Sequence, residues 1–273
     1  MIESTEHRDV FAHRLSWWRS RTIGYAVHVY EVRGVLIDTG FPAVAADVHR
    51  VAESRRVRGA MVTHQHEDHA GNVEMLALMG VPLAIGAETV RLVSAPNRIG
   101  LYRHILWQSM PVLRSPVQPF VDDSLEFVHT PGHSHDHHAV WDHETRTLFA
   151  GDLYLGVKVR TAHPHESPRA QVASLRAMIA RGPRRLFCGH RGLVSDPMGA
   201  LSAKADWMDG IITGIERLHG EGHSIVAIRR QLLGARGRVH WISGGDYSPD
   251  NVITAVIRDA GVGGGTREQG NRG

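Results

Sequence analysis

The apolar positions of the chain change period several times, and each change marks an element. Between residues 25 and 38 two runs, YAVHVYE and GVLID, are rich in β-branched and aromatic side chains, with Arg33-Gly34 between them as a hairpin turn. Val44, Val48 and Val51 then recur at three- and four-residue spacing, which predicts a helix over 43–54. A short apolar run, GAMVT at 59–63, predicts a buried strand, followed by a helix over 71–79 and a strand over 81–86. Residues 91–120 break the rhythm. There Pro96, Pro111, Pro116 and Pro119 surround an apolar patch of Tyr102, Ile105, Leu106, Trp107 and Met110, which reads as an irregular helical insertion able to wall a ligand cleft. Strand character returns at 125–129, 139–141 and 147–150, a helix at 171–179 and a last strand at 185–188.

From Leu201 the texture is helical. Leu201, Ala205, Met208, Ile212 and Ile215 mark one helix stopped near Gly220, and Ser224 caps a second that ends before Gly234. Ser248-Pro249 opens a third, stopped at Gly261. The expected division is a main domain over 1–200, a small helical appendage over 201–261 and a glycine-rich, disordered tail over 262–273.

Composition narrows the function. With 273 residues, 42% hydrophobic and 22% charged, the chain has the makeup of a folded protein with a sizeable core. No apolar run approaches the ~18 residues of a membrane span, and the first residues lack an apolar secretory segment, so a cytoplasmic location is expected. One cysteine, Cys188, excludes an internal disulfide and a multi-cysteine zinc site, and is expected to be an inert buried thiol. A net charge of +3, from 31 basic and 28 acidic residues, does not announce a nucleic-acid binder. The expected partner is a small-molecule substrate, with no membrane and no nucleic acid; a homo-oligomer stays open. The outlier is histidine: 20 residues, more than the 17 Phe, Trp and Tyr together, with 13 of them between His64 and His190. That density points to metal chemistry.

The strand GAMVT runs directly into Thr63-His64-Gln65-His66-Glu67-Asp68-His69. His64 and His66 are two apart and project to one side of an extended backbone, while Asp68 and His69 turn with the chain toward a second point. Random placement at this composition would give roughly 0.006 occurrences of HxHxDH in the chain. Imidazole and carboxylate donors suit zinc, iron or manganese. Three more polar residues each follow an apolar strand beside a glycine: His133 in TPGHS, Asp152 in LFAGD and His190 in LFCGH.

These motifs, in this order from Asp38 to His190, resemble the metallo-β-lactamase fold superfamily, and the glyoxalase II and lactamase-B-like branch in particular. The resemblance implies an α/β fold, a four-layer αββα sandwich with a small C-terminal helical appendage and metals at one edge. It implies that His64, His66 and His133 hold one metal, that Asp68, His69 and His190 hold a second, and that Asp152 bridges them. Asp38 and His137, the latter in a GHxxxH pattern, are cast as supports behind the ligands. Two divalent ions, zinc first with iron or manganese as alternatives, lower the pKa of a bridging water to around 7. The expected activity is therefore hydrolysis of an ester, thioester, lactone or lactam by a bridging hydroxide, with Asp68 orienting it. The same site also fits a phosphodiester or RNA hydrolase, although only about 60 residues separate HxHxDH from His133, which leaves no room for the large insertion of the RNA-processing branch. A mononuclear-iron persulfide dioxygenase, using two histidines and the strand-end aspartate, is the other alternative.

Overall fold

The computed structural model describes residues 1–96 and 99–264. Its first sheet lays six strands side by side in chain order: β1 (Ile2–His7), β2 (Val10–Leu15), β3 (Val27–Val32), β4 (Val35–Ile37), β5 (Gly59–Val62) and β6 (Leu83–Ile85). The first four pair antiparallel, and β4, β5 and β6 run parallel. The second sheet contains β7 (Leu125–His129), β8 (His138–Asp142), β9 (Thr147–Phe149), β10 (Arg185–Cys188) and β11 (Gly192–Val194), with β9 and β10 parallel at its centre.

Period-two alternation sorts these side chains into layers. On β4 and β5, Leu36, Ala60 and Val62 face outward while Val35, Ile37 and Met61 face the second sheet. There they meet Val140, Phe149 and Phe187, the two phenylalanine rings stacking with centroids 5.3 Å apart. Helices cover the outer face of each sheet. On the first lie α1 (Trp18–Thr22), α2 (Ala45–Ser54), α3 (Glu67–Ala70), α4 (Val73–Leu78), α5 (Ala87–Ser94) and α6 (Leu101–Trp107), packed through Val48, Leu76, Val93 and Trp107. On the second lie α7 (Pro168–Ala180) and α8 (Pro197–Gly220), packed through Leu175, Met178, Leu201 and Ala205. The fold is thus the αββα sandwich. Behind α8, α9 (Ile225–Leu232), α10 (Arg238–Ile242) and α11 (Pro249–Gly264) add a further small core around Ile215, Ile228 and Ile253.

The pattern reading differs from this structure in several places. It passed over β1, β2, β11, α1 and α10, which are three to six residues long. Strand β1, sequence IESTEH, is an edge strand with four exposed positions, so it carries no apolar alternation to read. Helix α7 begins at Pro168, where Ser167 accepts from the Ala170 amide, and α8 at Pro197, where Asp196 accepts from the Gly199 amide. Helix α11 runs on to Gly264 instead of stopping at Gly261, and the tail expected from there lies outside the described residues beyond 264. Among the described residues no helix is long and apolar enough to cross a membrane.

Candidate metal centre

Every residue singled out by the motifs follows a strand. His64 and His66 leave β5, Asp68 and His69 sit on α3, His133 lies in the turn from β7 to β8, Asp152 follows β9 and His190 follows β10. Strands β5, β9 and β10 each belong to a parallel pair, and ligand sites in such sheets form at carboxyl ends. Backbone hydrogen bonds stitch the loops together: Thr39 N to His69 O at 2.7 Å, His138 N to Thr63 O at 2.7 Å, and Gly189 N to Gly151 O at 3.0 Å. Two glycines permit the close approach. A Cβ on Gly151 (φ +49°) would fall 2.7 Å from His137 Nε2, and one on Gly132 (φ +141°) 2.4 Å from the Gln171 backbone.

The seven donors form two adjoining groups. One gathers His64, His66, His133 and Asp152, the other Asp68, His69 and His190, with ligand atoms in each within 4.8 Å of one another. His66 Nδ1 lies 2.9 Å from His64 Nε2 and 3.1 Å from His133 Nε2. A tetrahedral site with metal–nitrogen bonds of about 2.0–2.1 Å sets its donors roughly 3.3 Å apart, so the spacing suits such an ion. Asp152 stands between the groups. Its Oδ2 is 3.4 Å from His133 Nε2, and its Oδ1 is 3.3 Å from His69 Nε2 and 3.2 Å from His190 Nε2. Asp68 Oδ2 lies 3.4 Å from His190 Nε2 and accepts a close hydrogen bond from the Tyr25 hydroxyl.

The far side of three of these rings, His64, His69 and His190, is occupied, which fixes which of their nitrogens faces inward. His69 Nδ1 donates to Asp38 Oδ2 at 2.7 Å, and His190 Nδ1 to the Ala26 carbonyl at 3.1 Å. His64 Nδ1 donates to the Thr63 hydroxyl at 3.0 Å, which in turn donates to Asp38 Oδ2 at 3.0 Å. His137 stays outside both groups: its Nε2 accepts from the Asp152 amide at 3.1 Å and its Nδ1 donates to the Thr130 hydroxyl at 2.9 Å.

The electrostatics fit a cation. Burial and neighbouring imidazoles hold His64 and His66 well below the usual histidine range, in the neutral form that ligates. Burial also opposes protonation of His69 and His190, yet Asp152 and its fellow carboxylates lift both above that range. Two buried carboxylates demand positive charge here, and protons on imidazole can provide it. His69 Nε2 and Asp152 Oδ1 are buried without a hydrogen-bond partner, as an inward-facing ligand pair would be. Histidine and carboxylate donors with those orphaned atoms match the donor set of zinc, iron or manganese.

Several functional neighbours escaped the motif reading. Tyr25 lies just before β3 in an apolar run, and nothing local marks its hydroxyl. Asp136, within a histidine-rich run, ties the β7–β8 turn to the histidine loop by accepting from the Gln65 amide and the Thr89 hydroxyl at 2.8 and 2.9 Å. Glu67, inside HxHxDH, makes a buried ion pair with Arg103 of α6. Lys204 did leave a signal. It shares one helical face with Leu201, Ala205 and Met208, where a cation is out of place, and it is 2% exposed. Burial pulls its ammonium down to about 8. Cys188 is buried as expected, its thiol donating to the Tyr154 carbonyl at 2.8 Å and pushed up by burial to about 11. Of the apolar insertion, Tyr102, Leu106 and Trp107 do line a cavity that opens over the donors.

Histidine and aspartate donors thus converge at one edge of a four-layer sandwich. The chain belongs to the metallo-beta-lactamase superfamily, to which residues 24–190 match. Over 184 residues it is 28% identical to the beta-lactamase-like protein 2 homolog of Drosophila melanogaster, covering 62% of this chain and 58% of the relative. It is 24% identical to the hydroxyacylglutathione hydrolase of Rhodopseudomonas palustris (67% and 68% covered). It is 26% identical to the atrochrysone carboxyl ACP thioesterase of Aspergillus terreus (54% and 41% covered). The chain spans about half the length of the first of these curated relatives. A solved metallo-beta-lactamase family protein from Thermus thermophilus superposes with a TM-score of 0.65 at 16% identity, covering 93% of this chain and 95% of that one. That likeness speaks for the fold.

Proposed function

We propose that this hydrolase is dinuclear, acting on an ester, thioester or lactone, with His64, His66 and His133 holding one divalent cation and Asp68, His69 and His190 a second. The observation that carries the reading is Asp152, whose two oxygens face two separate donor groups. Bound there, a pair of zinc, iron or manganese ions would supply Lewis acidity and lower the pKa of water toward about 7. The chain itself does the positioning. Asp38, Thr63 and the Ala26 carbonyl hold the imidazoles in the ligating tautomer, and Tyr25 fixes one oxygen of Asp68, the residue assigned to orient the attacking water. No serine or cysteine nucleophile is required, and Cys188 is too buried and too basic to serve as one. Two relatives named as a thioesterase and a hydroxyacylglutathione hydrolase support an acyl substrate.

Elemental analysis of the purified protein tests the metal count, with about two equivalents expected and about one or fewer in Asp152→Ala. A panel of S-lactoylglutathione, an acyl-homoserine lactone, a β-lactam and bis-nitrophenyl phosphate then tests the chemistry. Turnover of the acyl substrates is expected. Metal-loaded protein that cleaves only the phosphodiester, or nothing, overturns the assignment.

A further inference from the structure

The cavity over the donors has a volume of about 570 Å³, within the range of sites that enclose drug-sized ligands. Beyond the donors its wall is largely apolar and is built by the C-terminal helices, with Trp207, Met208 and Ile211 of α8 and Val239 and Ile242 of α10. The apolar character reaches solvent: Ile23, Val239 and Ile242 line the cavity while remaining 46%, 53% and 47% exposed. Greasy side chains left half-open around a pocket mark an apolar ligand. Within this wall lies Lys204, buried, with no hydrogen-bond or ion-pair partner among the described residues, its ammonium 5.9 Å from the Tyr154 ring centroid. Glu166 and Asp152 of the same lining act on it through space without touching it; a buried cation with no contacting counter-ion is costly, and an arriving anion reduces that cost. An apolar wall holding one unpartnered cation beside a hydrolytic centre fits a ligand with a greasy tail and an anionic head.

We infer, resting on the hydrolase reading above, that the substrate's acyl group is a long apolar chain seated against α8 and α10, and that Lys204 is a positioning residue holding the carboxylate oxygen that hydrolysis exposes. In the reaction, water oxygen bonds to the acyl carbon and the carbon–oxygen or carbon–sulfur bond to the leaving group breaks. The alcohol or thiol departs with one proton, and the other is lost as the fatty carboxylate forms. The tail belongs to the acyl side because that part stays attached to the reacting carbon throughout, so its burial can act on every step.

The test is a ladder of p-nitrophenyl acetate, butyrate, octanoate and dodecanoate with the metal-loaded full chain, together with calorimetric binding of dodecanoate to loaded and metal-free protein. Each methylene taken from water is worth roughly 0.8 kcal/mol, about fourfold. Acetate to octanoate adds six methylenes and is therefore expected to raise kcat/KM by between three and four orders of magnitude, about 4000-fold. The surface pair Val239→Ser and Ile242→Ser flattens the ladder, and Lys204→Gln weakens dodecanoate about tenfold while leaving 1-dodecanol unchanged. A flat ladder without dodecanoate binding overturns the acyl assignment while the hydrolase reading stands. Dodecanoate binding with no ester cleaved overturns the hydrolase reading and leaves the cavity assignment standing. Equal loss of dodecanoate and dodecanol in Lys204→Gln removes the lysine from it.

Discussion

Asp38 shows how far a single residue can be read. Its place after an early hairpin and before the histidine motif marked it as a support for an imidazole, and the structure puts its Oδ2 2.7 Å from His69 Nδ1. The sequence did not show that the same carboxylate also takes the Thr63 amide at 2.8 Å, or that Asp38 itself sits in the left-handed region at φ 64°. Aspartate tolerates that conformation better than most residues. Tyr25 and Asp136 stayed illegible for a related reason, since Tyr25 acts through a contact across 43 residues of chain and Asp136 through contacts across 71 and 47. Asp38→Ala frees both His69 and Thr63, and the loss of such an outer carboxylate lowers metal affinity by about 10- to 100-fold. Competition against a chelator of known affinity measures it, and unchanged affinity would show that His69 needs no anchor.

At the level of elements, strands with β-branched residues and glycine-flanked ends were readable, and the insertion over 91–120 was readable as helical, apolar and able to wall a cleft. Its partner was not. Arg103 of α6 reaches Glu67 in the motif loop, with the two side chains 8% and 7% exposed. Burial lifts the Glu67 carboxyl even with the guanidinium beside it, so the pair survives only as a pair. Removing one partner of a buried ion pair strands the other charge, at about 3–5 kcal/mol, whereas apolar replacement of both is often neutral. Arg103→Ala is therefore expected to lower the unfolding free energy by that amount, and Glu67→Leu with Arg103→Met to recover most of it. Denaturant titration decides. If the single variant matches the parent, the pair is not what holds α6 over the site.

Across the whole molecule, the layered architecture could be expected from the order of motifs, but the cavity only in part: Tyr102, Leu106 and Trp107 wall it as the insertion suggested, while the rest of its apolar wall comes from helices placed after the last motif histidine. The abundance of histidine was plain from the start, whereas its distribution between two electrostatic roles depends on burial. His13, His28 and His138 lie outside the donor groups and are held below the usual range, chiefly by burial, with His28 down to about 4. An unfolded chain takes up protons at these positions near pH 6.5, and the folded one refuses them. For such a group the stabilisation is complete above pH 6.5 and is lost as pH falls toward 4, by at most about 1.4 kcal/mol per pH unit. His69, His133 and His190, lifted by carboxylates, act in the opposite sense, so the net pH profile of the parent mixes both. Comparing the parent with His28→Gln isolates one group, because glutamine does not titrate. Their difference in melting temperature should shift in favour of the variant as pH drops from 7.5 to 5. A difference that stays constant across that interval would mean that His28 titrates alike in the folded and unfolded chain, and that its packing beside Tyr30 excludes no charge.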